Sequence, residues 1–339
     1  MLGFGPISSA PLSSLPDNIS RLTSDIVQEV VTLFVNEDRL RTSPDELHHF
    51  TSLETACKII EGDDVRMSHA EYSNDQMEME EAKKIILDRL RALSPTDPLF
   101  PKVLAEYEHR SENLDAFIFC MSRGKPTDEG LPQDILSQWR AYGQDGRGIC
   151  LTLNRSDLQR LIRNTPTLRL NPAIYDRKIQ VDFIDAILNR VLTAHHAGAP
   201  NAHEAAVAAL VFATPLMKAP GFSEEDEWRL IFMPPKGINP QLKFHPRRDF
   251  LAPYITLKQI WETLRPAMLE VATLADMLPP EQLREVPHVP PLIPITQIMV
   301  GPSGHQSLNE RAMAKLIAQT PHRAAIAIST SKIPYRSLA

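Results

Sequence analysis

The chain has 339 residues, of which 43% are hydrophobic and 23% charged, the composition of an ordinary globular protein. This length is enough for one large domain or two modest ones. The formal charge of −6 argues against a protein that binds nucleic acid through its overall charge, although it leaves room for a local basic patch.

The cysteines and the apolar segments predict a cytoplasmic protein in a reducing environment. Cys57, Cys120 and Cys150 follow neither a zinc-ligand spacing nor an even-numbered disulfide pattern, so we expect small buried thiols. No stretch approaches the ~20 apolar residues of a membrane-spanning helix. Residues 1–18 lack the charged and apolar regions of a signal peptide. The histidines show no tight ligand spacing, and we expect no metal site.

Hydrophobic periodicity and turn residues predict helices that alternate irregularly with strands. The predicted helices are 19–34, 53–61, 76–93, 101–109, 132–142, 178–213, 258–277 and 308–319. The predicted strands are 47–51, 65–68, 116–122, 149–153, 230–232, 250–257, 295–300 and 324–328, and a further alternation of strand and helix is predicted after 153, up to Tyr175. Ser73-Asn74-Asp75 is predicted to cap the third helix.

This mixture of elements predicts an α+β fold, with a mixed β-sheet as the core and helices around it. Residues 1–44 would form an arm and a helix. Residues 45–337 would form a single domain with helical insertions near 178–213 and 258–290. Neither a Gly-x-Gly-x-x-Gly fingerprint nor a Walker phosphate loop occurs, which excludes the common nucleotide-binding loops.

The stretch Glu224–Phe232 (Glu-Glu-Asp-Glu-Trp-Arg-Leu-Ile-Phe) joins acidic residues, a tryptophan and an arginine to a β-prone apolar run. If it is a strand throughout, Glu225, Glu227 and Arg229 share one face, because side chains alternate along a strand. Two carboxylates and a guanidinium at a sheet edge form either a site or a solvated strand entrance with a salt bridge. Composition alone favours the salt bridge.

Several short motifs occur in a fixed order along the chain. They are Leu47-His48-His49-Phe50-Thr51-Ser52, Ser68 with Asn74-Asp75, Phe119-Cys120-Met121-Ser122, Trp139-Arg140-Ala141-Tyr142-Gly143, Gly148-Ile149-Cys150, Glu225-Asp226-Glu227-Trp228-Arg229, Val300-Gly301-Pro302 and Ile333-Pro334-Tyr335-Arg336. In this order they resemble a bacterial family of unknown function, number twenty-nine seventy-one, over about residues 45–337. The N-terminal helix and the segments near 178–213 and 258–290 depart from the family pattern. The family itself implies no activity.

Three of these segments are also similar to the strands that carry the site of ADP-ribosyltransferases. In those enzymes a first strand carries His or Arg, a second carries Ser or Tyr, and a later one carries Glu, often as Glu-x-Glu. Here His49, Ser122 and Glu225-Asp226-Glu227 occur in that order. The resemblance implies an ADP-ribosyltransferase-like fold, NAD as the substrate and an unknown macromolecular acceptor, in a bacterial toxin or phage-defence effector.

The same resemblance implies a role for each residue. Cleavage of the nicotinamide–ribose bond builds positive charge on the ribose, and Glu227 at the 2′-hydroxyl would stabilise it. Glu225 would orient or deprotonate the acceptor, and His49 would hold the adenosine-side ribose. Tyr72 or Tyr142 would stack on nicotinamide.

Thr51, Ser122 and Arg66 complete the expected NAD contacts. Two other functions remain open. One is a non-catalytic interaction or sensor module in which the same residues form a conformational framework. The other is a nuclease-like effector, which is disfavoured because the sequence shows no convincing carboxylate cluster for magnesium.

Overall fold

In the computed structural model the residues described are 17–37, 40, 44–73, 77–125, 131–162, 167–235, 238–247, 249–264, 292–320, 323 and 325–335. The predicted cap at Asn74-Asp75, most of the stretch 258–290 and Arg336 lie outside these ranges.

Most helices lie where the periodicity predicts them, but the predicted section 178–213 is divided into two helices and the helix predicted from 132 begins at 136. They are α1 (Asp17–Asn36), α2 (Leu53–Gly62), α3 (Glu78–Leu93), α4 (Leu99–Ser111), α5 (Leu136–Ala141), α6 (Arg155–Ile162), α7 (Arg177–His196), α8 (Ala202–Ala213), α9 (257–264) and α10 (Gln306–Ala318). Ser52 and Asp176 begin α2 and α7 by accepting hydrogen bonds from the backbone N–H three residues on. Among the described residues, no helix is both long and apolar enough to cross a bilayer.

The described strands form one mixed sheet. They are β1 (Glu46–Thr51), β2 (Arg66–His69), β3 (Phe117–Ser122), β4 (Ile149–Asn154), β5 (Leu168–Pro172), β6 (Glu227–Phe232), β7 (Lys243–Pro246), β8 (Leu251–Thr256), β9 (Ile295–Val300) and β10 (Ala327–Thr330). The order β10-β9-β4-β1-β3-β2-β8-β7 is antiparallel except for the parallel β9–β10 pair. The predicted α+β fold with a mixed sheet is therefore confirmed.

The sheet forks at β3. Along its whole length β3 pairs with β6, which in turn pairs with β5. The other edge of β3 is shared, because β1 pairs with it at Ser122 while β2 pairs with it at Phe117 and Ile118. The strands β1 and β2 therefore diverge along the middle of β3.

Each face of the sheet is covered by its own core. One face packs against α1, α3, α4, α7 and α8 through a cluster that includes Ile118 and Ile231. The other face packs against α2, α6, α9 and α10 through a cluster that includes Leu47, Phe119 and Trp228. Because the two clusters divide alternate residues of β3 and β6 between them, they fix the direction of every side chain on these strands.

Two strand predictions need correction. The strand after Glu224 begins only at Glu227, because Asp226 takes the left-handed conformation (φ 44°) after a 3-10 helix, Pro220–Glu225. The strand β7 is not among the predicted strands, because its four residues are all exposed and lack an apolar face. The predicted strand 295–300 is confirmed as β9.

Candidate functional site

A row of polar side chains crosses the sheet on the face that carries α7 and α8. Cross-strand pairing places Glu227 opposite Ser122, Ser122 opposite His48, His48 opposite Thr152 and Thr152 opposite Gln297. Directly paired residues lie on the same face of a sheet. The first four side chains are buried, His48 to 1% exposure and Thr152 completely.

This row is closely packed. His48 Nδ1 lies 3.1 Å from Thr152 Oγ1, and the backbone N–H of Gly124 donates to Ser122 Oγ over 3.2 Å. Burial lowers the pKa of His48 to about 4, so the imidazole is neutral at physiological pH. Gly124 has a φ of +82°, and a Cβ built on it would lie 2.9 Å from His48 Cδ2.

His49 points to the opposite face of the sheet from Ser122 and Glu227. Its ring stacks on Phe119 at a centroid distance of 4.3 Å, and its Nδ1 lies 2.9 Å from the carbonyl oxygen of Cys120. This contact sits at the fork between β1 and β2. Burial lowers the pKa of His49 to about 4, although the hydrogen bond to the backbone of Cys120 raises it.

The two predicted carboxylates meet in an ion cluster, which consists of Lys218, Glu225, Glu227 and Arg229. Lys218 Nζ lies 2.5 Å from Glu225 Oε2 and 3.0 Å from Glu227 Oε2. Arg229 Nε and Nη2 also donate to Glu227 Oε2, over 3.1 and 2.8 Å. Two carboxylates therefore face two cations, and the cluster is electrically balanced.

Glu225 reaches this cluster from outside the strand. Since β6 begins at Glu227, the expectation that both carboxylates share a strand face is wrong. The left-handed turn at Asp226 nevertheless brings the Glu225 carboxylate to the same lysine. The side chain of Glu225 is 17% exposed and that of Glu227 only 7%, so Glu225 forms the outer side of the cluster.

Two tyrosines complete the surroundings of the cluster. Tyr142 Oη donates to Glu225 Oε1 over 2.6 Å, and Tyr175 Oη accepts from the backbone N–H of Glu227 over 3.0 Å. Trp228, on the opposite face of β6, is buried in the second core and anchors the strand from behind, as the alternation predicts.

The electrostatics keep Glu227 ionised. Burial would raise its pKa, but Arg229 and Lys218 outweigh burial and lower the pKa to about 2. The Cys120 thiol also hydrogen-bonds to Glu227. Burial and the Glu227 charge hold the pKa of this thiol well above its usual value, so it is a neutral partner and no nucleophile at physiological pH.

The remaining predicted residues lie elsewhere. Arg66 of β2 stacks on Tyr254 of β8, with its Cζ 4.3 Å from the ring centroid. Tyr72 packs beside Phe250 at 5.9 Å, next to the same strand. Thr51 ends β1 and is buried, on the face opposite His48. The structure thus brings together Glu225, Glu227, Ser122 and Tyr142. The other three, Arg66, Tyr72 and Thr51, lie away from them.

Sequence reasoning missed Lys218, Tyr175 and the position of His48. Lys218 stands in the segment Leu-Met-Lys-Ala-Pro, which has no periodicity or motif that would mark a buried lysine. For His48 the signal was incomplete: adjacent strand residues face opposite ways, so either His48 or His49 had to share the face of Ser122, but alternation does not say which.

Comparison with known families confirms one of the two resemblances. Residues 138–230 match the model of a family described as a protein of unknown function (DUF2971). This part of the chain is similar to DUF2971. The match covers about a quarter of the chain, and it contains Tyr142, Tyr175 and all four residues of the ion cluster. No curated protein and no solved structure matches the chain.

Proposed function

We propose that the chain is an NAD-dependent ADP-ribosyltransferase-like enzyme whose site opens beside Glu225 and Tyr142. The observation that carries this proposal is the adjacency of β1, β3 and β6, with Ser122 and Glu227 as direct cross-strand partners. These are the three strands that the resemblance to ADP-ribosyltransferases requires to be neighbours. The ion cluster supplies a fixed carboxylate at the end of the third strand.

The reaction would break the bond between nicotinamide nitrogen and ribose carbon. The bonding electron pair leaves with nicotinamide, which becomes neutral, and positive charge develops on the ribose. A nucleophilic atom of the acceptor then bonds to the same ribose carbon and loses its proton to a carboxylate. A carboxylate held in place before the reaction stabilises such charge without reorganisation.

The environments of the two glutamates support different roles for them. Glu227 stays ionised because Arg229 and Lys218 hold its pKa at about 2, so it would supply the negative charge near the ribose. Glu225 is the more exposed, and its contacts to Tyr142 and Lys218 are at the outer side of the cluster. It would take the proton of the acceptor.

The histidine of the first strand needs a revised role within this proposal. His48, and not His49, shares the row with Ser122 and Glu227, but His48 is buried beneath Gly124. His49 lies at the fork of the sheet, where it touches the carbonyl of the residue whose thiol meets Glu227. Because His49 faces away from Ser122 and Glu227, the revised proposal gives it no contact with the ribose, and its bond to the carbonyl of Cys120 would hold β1 against β3.

The proposal is tested by mass spectrometry of cellular macromolecules after expression of the chain. We expect an adduct of ADP-ribose on protein or nucleic acid in wild type, lost in Glu225→Gln and Glu227→Gln. Glu224→Gln is the matched control, because Glu224 is exposed and adjacent. Absence of any NAD-dependent adduct, or an equal adduct in all variants, contradicts the proposal.

A second candidate is a non-catalytic interaction or sensor module. The observation that favours it is the saturation of the ion cluster, in which Glu227 Oε2 alone accepts three hydrogen bonds. Calorimetry with NAD distinguishes the two candidates. Heat of binding that disappears in Glu225→Gln supports the transferase, whereas no binding together with capture of a specific protein partner supports the module.

A further inference from the structure

The hairpin of β7 and β8 ends the described sheet and exposes large apolar side chains. Phe244 is 59% exposed, Leu251 57% and Phe250 45%. Nearby Tyr72 is 37% exposed and packs against Phe250. Exposed aromatic rings gathered in one place mark a binding surface more often than single scattered ones do.

Basic side chains lie in the same hairpin as Phe250. Lys243, His245 and Arg247 stand at alternate positions along β7 and its turn, and all three are exposed. Lys243 pairs with Tyr254, and Tyr254 in turn carries the Arg66 guanidinium over its ring. Lys243, Tyr254 and Arg66 therefore share one face of the sheet, whereas Phe244, which pairs with Pro253, lies on the other.

The charge of this face is locally positive. Among the described residues of β2 and the hairpin, Arg66, Lys243 and Arg247 face one carboxylate, Asp249, while Lys58 of α2 is paired with Glu54. The pKa of His245 is lowered first by partial burial and then by Arg66, Arg247 and Lys58, whereas Glu54 raises it. The whole chain, by contrast, has a formal charge of −6.

We propose that this face, the hairpin face (Arg66, Tyr72, Lys243, Arg247, Phe250 and Tyr254), binds single-stranded nucleic acid. Proteins that bind single strands combine cations that follow the phosphates with aromatic rings on which bases stack. Both features are present here on two adjacent strands. A duplex would keep its bases away from the rings, so an unpaired strand fits the face better.

The partner class follows from the pairing of charge with rings. A purely acidic peptide would use the cations but leave Tyr72 and Phe250 in water, and an apolar partner would leave Lys243 and Arg247 without a counter-charge. An unpaired nucleotide strand satisfies both sets at once. The hairpin face lies apart from the ion cluster, so this inference does not depend on the proposed transferase activity.

Fluorescence anisotropy of the purified full-length chain tests the inference without NAD. The probes are fluorescein-labelled thymidine and uridine oligonucleotides of about 15 nucleotides, within the site sizes of single-strand binders. We expect Lys243→Ser with Arg247→Ser to weaken binding about tenfold and to reduce the salt dependence by about 1.4 in slope, for two lost phosphate contacts. Phe250→Ala should weaken binding at least ~5-fold through lost stacking.

Two control variants test whether the losses are specific to the hairpin face. Arg311→Ser with Lys315→Ser removes the same charge from exposed positions on α10, and Leu308→Ala truncates another exposed apolar side chain. Both controls should bind like wild type. Wild type that binds neither oligonucleotide, controls that lose as much affinity as the hairpin variants, or equal binding of a poly-glutamate peptide would each overturn the inference.

Discussion

Tyr142 and Glu225 are joined by a 2.6 Å hydrogen bond although 83 residues separate them in the chain. Tyr142 belongs to the motif that begins at Trp139, and Glu225 begins the motif that ends at Arg229. These motifs lie at the two ends of the segment that matches the family model, so the bond joins its ends. Lys218 then links Glu225 to Glu227, which lies in β6 beside Ser122. The motifs therefore converge on one polar cluster.

The first prediction concerns the buried charge of Glu227. Arg229→Met should lower the free energy of unfolding by about 3 kcal/mol, because breaking a buried pair leaves one charge partly uncompensated. The double variant Arg229→Met with Glu227→Gln should recover at least ~1 kcal/mol, since the orphaned charge is then gone. Urea unfolding measures both.

Arg160→Met is the control for this series, because Arg160 is 71% exposed and pairs with Asp157 at the surface. It should change stability by no more than about 0.5 kcal/mol. If Arg229→Met lowers the free energy of unfolding no more than Arg160→Met does, the burial of the ion cluster does not increase its contribution to stability.

The second prediction concerns pH and His48. Its pKa falls from 6.5 to about 4 on folding, so the unfolded chain binds more protons between these values. The neutral imidazole thus stabilises the fold fully above pH 6.5, and this contribution is lost as the pH falls toward 4. At pH 5 the loss is about 2 kcal/mol.

Unfolding curves at pH 7 and pH 5 check this prediction. His48→Gln should reduce the pH dependence by that amount, while His305→Gln, at an exposed position, should leave it unchanged. An identical pH dependence in wild type and His48→Gln would show that the imidazole titrates alike in the folded and unfolded chains.

The third prediction concerns the turn above His48. Gly124 and Gly198 both have a φ of +82°, but a Cβ on Gly124 would lie 2.8 Å from the carbonyl oxygen of Pro132, whereas one on Gly198 would meet nothing within 4 Å. Gly198→Ala should therefore cost about 1 kcal/mol for its backbone conformation alone. Gly124→Ala should cost about 1–3 kcal/mol more, because the methyl group overpacks.

Thermal unfolding of both glycine variants gives the comparison directly. Equal losses at the two positions would mean that the segment around Gly124 moves away freely and does not press on His48.

The sequence predicted the elements whose burial leaves a periodic signal. The strand β9 has the predicted bounds, and β3 differs by one residue, because both are apolar and bounded by turn residues. The strand β7 left no such signal, since all of its residues are exposed. Its place in the sheet comes from the hairpin that it forms with β8, which the apolar pattern of its own four residues does not indicate.

The two carboxylates of the ion cluster were predictable from the sequence, but its lysine was not. Glu225 and Glu227 stand in a visible motif, but their shared partner Lys218 comes from a segment with no motif. The sequence indicated that His48 and His49 face opposite ways. It did not indicate which of them joins Ser122, because strand register depends on how both cores pack.

The proposed activity is tested most directly by the release of nicotinamide from NAD by the purified chain in the presence of a cell extract. Chromatography should detect nicotinamide with wild type and with Glu224→Gln, and at least ~100-fold less with Glu225→Gln and Glu227→Gln at equal folded concentration. Near-ultraviolet circular dichroism establishes that the variants are folded. Nicotinamide release that is absent in wild type, or unchanged when either glutamate is replaced, would contradict the account.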